Sequence, residues 1–156
     1  MAALMDLIAG DRREILLGLA LDDFEGFGDT ARFAAHLALG GGLDPTWLDS
    51  FSEAVRTVGE RDEPRDFLEA CLELPGGQLA GERTAELVDP AWTAAVAAVA
   101  NDSLDAIAGR WIDLIEDDLG LLSAEEKPWI RVLAGQLVQF ARQAQSAPDV
   151  IFAWSL

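Results

Sequence analysis

In the segment SLDAIAGRWIDLIEDDLG, apolar side chains return at Leu104, Ile107, Ala108, Trp111, Ile112, Leu114, Ile115 and Leu119. That three-to-four spacing draws one stripe along a helix, and it predicts a helix over 103–119 opened by Ser103 and stopped by Gly120. Ser123 and Glu126 then stand in capping-box positions ahead of a long helix reaching about Ser146, which Pro148 ends. Near the other end of the chain, Asp11 lies three residues before Glu14 and ahead of ILLGLAL. This is again a capping-box pattern, read as a helix at about 12–23 after a short one at 2–9. The Ala-rich TARFAAHLAL at 30–39 reads as helix up to the glycines at 40–42, and EPRDFLEACLEL predicts another at about 63–73. The stretch 76–88 is the best loop candidate, with a short strand near 83–88, and VIFAWSL reads as a buried strand or extended tail near 149–155.

Two five-residue stretches repeat each other, LDPTW at 43–47 and VDPAW at 88–92. Proline suits the first helical position because its missing N–H has no intrahelical acceptor there. The preceding carboxylate accepts from the free amides of the first turn, and the apolar residue before the cap can fold back as a staple. The motif therefore predicts two helix starts, near 45–58 and 90–100, with KPWI at 127–130 as a related third. A spacing of forty-five residues also falls within the range of two-helix repeats, although the two copies diverge after the shared start.

These elements together predict a mainly α fold, with about seven or eight helices in one compact domain over 1–156 and a minor β component. Short apolar runs do not separate helix from strand by period alone. The alternative is an α+β fold in which 14–21 and 31–38 form an N-terminal hairpin.

Charge narrows the partners. Twenty-eight acidic residues against ten Arg and one Lys give a net charge of −17. Such a field repels nucleic-acid backbones and anionic lipid, so neither is expected as a partner, whereas a basic protein is attracted. The N-terminal apolar run is broken by Asp6, and PAWTAAVAAVA at 90–100 is about half a membrane span. A soluble, cytoplasmic protein is expected, and the single cysteine, Cys71, fits a reducing compartment.

Most catalytic sets lack their residues. His36 is the sole histidine, and no phosphate-binding glycine loop or nucleophile elbow occurs. A Cys71–His36 nucleophile pair can be drawn, but Cys71 within LEACLEL reads as a small buried hydrophobe and His36 as a hydrogen-bonded core or boundary residue. ERDE at 60–63 and ELVD at 86–89 resemble the ExxE…ExxD magnesium-binding helices of the all-α nucleotide pyrophosphohydrolases related to MazG. That resemblance implies paired carboxylates on one helix face. Pro64 and Pro90 place both motifs at helix starts or in loops instead, and no family residue is carried over. No metal site, cofactor or catalytic residue is assigned.

One asymmetry is organised. Residues 113–126 hold Asp113, Glu116, Asp117, Asp118, Glu125 and Glu126, whereas 127–148 hold no acid but carry Lys127, Arg131 and Arg142. Asp113, Glu116, Asp117 and Asp118 are the candidate partner-binding residues, unless Lys127 and Arg131 neutralise them from within. The expected function is a small acidic bacterial-type protein acting as a non-enzymatic interaction or regulatory module of the immunity type. The alternative is a small magnesium-dependent hydrolase or ligand-binding protein using Asp and Glu.

Overall fold

The chain builds an α+β fold rather than a mainly α one. A computed structural model describes residues 4–40, 43–79 and 83–155. Gly41 and Gly42 of the predicted glycine break, and residues 80–82 of the predicted loop, lie outside these. The described residues form five strands, β1 (Leu4–Gly10), β2 (Phe33–Ala38), β3 (Cys71–Leu79), β4 (Arg83–Val88) and β5 (Asp149–Ser155). They pair antiparallel throughout in the order β2-β1-β5-β4-β3. Six α-helices accompany them: α1 (Arg12–Ala20), α2 (Thr46–Gly59), α3 (Phe67–Ala70), α4 (Pro90–Ala97), α5 (Leu104–Leu119) and α6 (Glu126–Ala144). None is both long and apolar enough to cross a membrane.

Each face of the sheet is covered. Met5, Leu7, Ala9, Val88, Val150 and Phe152 pack with α2, α4, α5 and α6 in the larger core. Ile8, Ala85, Ile151 and Ala153 pack under α1 and the 3-10 turn at Glu25–Gly28, with Ile15, Leu19 and Phe27. β1 and β5 are thus buried on both sides. This is why their sequences are near-continuous apolar runs without the two-residue alternation of a half-exposed strand.

Three expectations are corrected by this sheet. Residues 2–9 were expected to be helical, but 4–10 form β1, whose backbone groups pair with β2 and β5. The Ala-rich 30–39 contains β2, because pairing along β1 and packing by Phe33 override alanine's helical preference. The helix expected at 63–73 shrinks to α3, and from Cys71 the chain is β3. The alternative hairpin was half right: 31–38 holds a strand, but 14–21 lies in α1 and the partner of β2 is β1. Nor do the two helix starts mark a solenoid, since α2 and α4 both lie against one shared sheet. Strands at 83–88 and 149–155 are present as read.

The local helix signals are realised atom by atom. Asp44 Oδ1 accepts from the Thr46 amide at 2.9 Å, and Asp89 Oδ1 accepts from the Ala91 amide at 2.9 Å. Ser123 and Glu126 exchange backbone-to-side-chain hydrogen bonds at 3.0 and 3.1 Å, the reciprocal form of the box. At α1 only half of the box forms. Asp11 caps the Arg13 and Glu14 amides, while the Glu14 side chain pairs with Arg32 at 2.8 Å. Ser103 occupies the cap position of α5 without a side-chain hydrogen bond, and Gly120 ends that helix at φ 90°.

Asp44→Ala and Asp89→Ala are each expected to lower stability by about 0.5–2 kcal/mol through the lost cap. The loss should be larger at Asp89, because Arg65 pairs with its other oxygen at 2.7 Å. The Ala91 amide, and then Arg65, hold the Asp89 carboxyl below its ordinary value. A carboxyl lowered in the folded state stabilises above its unfolded pKa and loses that contribution as pH falls through the folded one. Urea titrations at pH 7 and near pH 2.5 should therefore show the wild-type advantage over Asp89→Ala shrinking in acid. Equal differences at both pH values would contradict the capping role.

Candidate acidic interaction site

The four acidic candidates divide in the structure. Glu116 turns inward: its Oε2 accepts from the Leu122 amide at 2.9 Å and lies 3.5 Å from Lys127 Nζ. It ties the α5–α6 connection together, which is the internal neutralisation weighed for this cluster. Asp113, Asp117 and Asp118 are exposed on α5, and none has a hydrogen-bond or ion-pair partner among the described residues. Beside them are two leucines that the fold leaves in water. Leu119, placed on the apolar stripe by its spacing, is 63% exposed, and Leu121 is 90% exposed. The stripe that reaches the core is Ile107, Ala108, Trp111, Ile112 and Ile115.

This arrangement does not serve the helix that carries it. Asp117 and Asp118 sit in the last turn of α5, which holds no basic residue, at the negative end of the helix dipole. Asp113 and Asp117 are four residues apart on one helix, where like charges repel. Each effect is worth only tenths of a kcal/mol, but all have the same sign.

The other candidate chemistry is dispersed. His36 and Cys71 lie on the two outer strands of the sheet, four strand spacings or roughly 19 Å apart. They also face opposite cores: His36 lies beside Phe27 of the smaller cluster, and Cys71 packs with the larger one. Burial, then the charges of Glu86 and Asp49, push the Cys71 thiol well above its ordinary value, the opposite of an activated nucleophile. The ExxE and ExxD stretches are not helical faces either. Residues 60–63 form the turn after α2, and 86–89 lie at the end of β4 and the cap of α4. Among the described residues, no three His, Cys, Asp or Glu side chains converge on a metal-sized point.

His36 has a partner that its neighbours in sequence do not reveal. Its Nε2 lies 2.7 Å from Oδ1 of Asp6, a carboxylate that is only 6% exposed. The two come together because β1 and β2 pair with His36 opposite Ile8, one diagonal from Asp6 on the same face. Nothing local in LMDLIAG signals that contact.

Arg142 and the tryptophans are structural. Arg142 donates to the carbonyls of Ala97 and Val99 and to Asn101 beyond α4. Trp92 and Trp111 are buried, Trp47 and Trp129 pack against each other with ring centres 6.4 Å apart, and the Trp154 indole donates to Glu86.

Comparison with known proteins yields no match to any family model, any curated protein or any solved structure.

Proposed function

We propose that this chain is a non-enzymatic interaction module that docks a basic protein on the C-terminal end of α5. The observation that carries the reading is the exposed set Asp113, Asp117 and Asp118, without a partner among the described residues, next in sequence to exposed Leu119 and Leu121. Asp117 and Asp118 lie against the dipole of their own helix, and with Asp113 they have no partner among the described residues, so no described contact gives them a role in holding the fold. Exposed leucines next in sequence to exposed acids suit a partner surface that presents Lys or Arg near an apolar socket. The net charge of −17 adds long-range steering toward the same partner.

The reading makes a two-sided prediction. Converting Asp113, Asp117 and Asp118 together to Asn should raise the melting temperature slightly, because repulsion and the dipole penalty both vanish. The same variant should associate with the partner at least about tenfold more slowly at low salt and change dissociation less, since exposed rim charges mainly steer. Leu121→Ser should act on dissociation instead. The experiment is affinity capture on immobilised wild-type and variant chains at 0.1 M and 0.5 M salt, followed by stopped-flow association with the captured protein. A protein held equally by wild type and the triple variant, or held regardless of salt, would overturn the proposal. A melting temperature lowered by the triple substitution would do so from the other side.

A further inference from the structure

β3 and β4 lose their one-to-one register between Glu73 and Gln78, where residues 74–77 of β3 stand against Ala85 alone. Gly77 lies so close to β4 that a Cβ there would run into the Ala85 carbonyl, while Pro75 and Gly76 stand exposed. This bulge and Trp154 of β5 line an open cleft of about 450 Å³, together with Glu73, Gln78, Thr84 and Glu86. Register puts the acids and the indole on one face of the sheet. Glu73 stands opposite Glu86, and Thr84, two residues from Glu86, stands opposite Trp154. Each of these side chains is exposed or partly exposed, so a ligand reaches them from solvent.

The lining is chemically one-sided: two carboxylates, one indole, and no Lys or Arg among the described residues. The Trp154 N–H donates to Glu86 Oε1 at 2.8 Å, which fixes the ring and that carboxylate against each other. Glu86 Oε2 and both oxygens of Glu73 have no hydrogen-bond or ion-pair partner among the described residues. Like charges directly opposite on paired strands destabilise. Arg83, close by in sequence, turns to the other face, where it pairs with Asp22 and lies over Phe24.

We propose that this cleft binds a guanidinium group, stacked on Trp154 and held by Glu73 and Glu86. A cation relieves the opposed carboxylates, and an indole face attracts one. A flat cation fits best, because a guanidinium lies on an aromatic face and aims its in-plane N–H groups at carboxylate oxygens. The side-chain oxygens of Gln78 and Thr84 accept further N–H groups at the same place. A divalent metal fits less well: among the described residues, no third acidic, histidine or cysteine side chain joins the two glutamates. The group can arrive on a free guanidine compound or on an arginine of a peptide. The cleft shares no residue with the acidic end of α5, so the two proposals stand or fall separately.

The test titrates butylguanidinium into the full chain at low salt, followed by NMR of the backbone amides and the indole N–H groups. Butylammonium and neutral butylurea are titrated in parallel. Butylguanidinium is expected to saturate a single site and to move the Trp154 indole signal with the amides of 73–78 and 84–86. Butylurea, flat but uncharged, should not bind, and butylammonium, charged but not flat, should bind at least about threefold more weakly. Glu73→Gln should weaken butylguanidinium about tenfold, the worth of one charge-assisted hydrogen bond. The same variant should not lower the melting temperature, because it removes a repulsion. Joint replacement of Asp113, Asp117 and Asp118 by Asn should leave the affinity unchanged. A blocked peptide with one arginine separates the two sources: tighter binding than butylguanidinium assigns the cleft to a partner's arginine, weaker binding to a free small molecule. The proposal is overturned if butylguanidinium does not saturate, if its shifts spread over the acidic surface, or if either control binds as tightly. Unchanged affinity in Glu73→Gln would overturn it as well.

Discussion

Trp92→Ala is expected to destabilise the protein by about 3–5 kcal/mol, the range for removing a large aromatic from a packed core. Trp92 is 1% exposed and links the helical layer to the sheet. Its ring meets Phe67 edge-to-face at 4.9 Å and Phe51 at 6.4 Å; Phe51 reaches Trp111 at 5.0 Å, and Phe67 reaches Phe152 of β5 at 5.0 Å. The indole N–H is met as well, by Ser52 Oγ at 2.9 Å, and Ser52 in turn donates to the Leu48 carbonyl. Truncation therefore leaves a void beside Phe51 and Phe67, the two rings through which Trp111 and Phe152 are linked, together with a lost buried hydrogen bond. For a chain of this length the fall in melting temperature should be on the order of 10 °C. Trp92→Phe keeps most of the contact area and should cost less than half as much. Trp129→Ala, at a partly buried site, is the control. Urea unfolding that finds Trp92→Ala within 1 kcal/mol of wild type would show that this aromatic chain does not hold the layers together.

His36→Ala should cost about 2–3 kcal/mol, more than a typical cap or surface charge. The loss comes less from the imidazole than from what it leaves behind. Asp6 is almost fully buried, and removing its partner leaves a buried polar side chain without its hydrogen bond. The His36 side chain is itself 20% exposed, which lets some water reach the gap and keeps the loss within the range for an unmet buried polar group. Replacing both groups, as Asp6→Leu with His36→Leu, should recover most of the loss, since a buried pair exchanged for apolar side chains is often neutral. The complete double-mutant cycle by chemical denaturation decides the matter. If the two single losses simply add in the double variant, the pair carries no coupling and Asp6 is held by something else.

The sequence by itself determined the helical grammar of this protein. Asp44, Asp89 and the Ser123–Glu126 pair start helices because a cap is a contact between residues two or three apart, complete within the segment that encodes it. The buried stripe of α5 was legible for the same reason, up to Leu119, where the core ends before the periodicity does. Only the tertiary structure decided that 4–10 and 33–38 are strands. Their backbone partners lie up to about 150 residues away, in β5, and burial of β1 on both faces erases the alternation that would mark a strand. The same non-local pairing brings Asp6 to His36 and places Cys71 on the far edge of the sheet. The acidic run 113–118 was visible at once as composition. That Glu116 serves the loop while Asp113, Asp117 and Asp118 find no partner among the described residues depends on where the chain turns after Gly120, which charge counting does not encode.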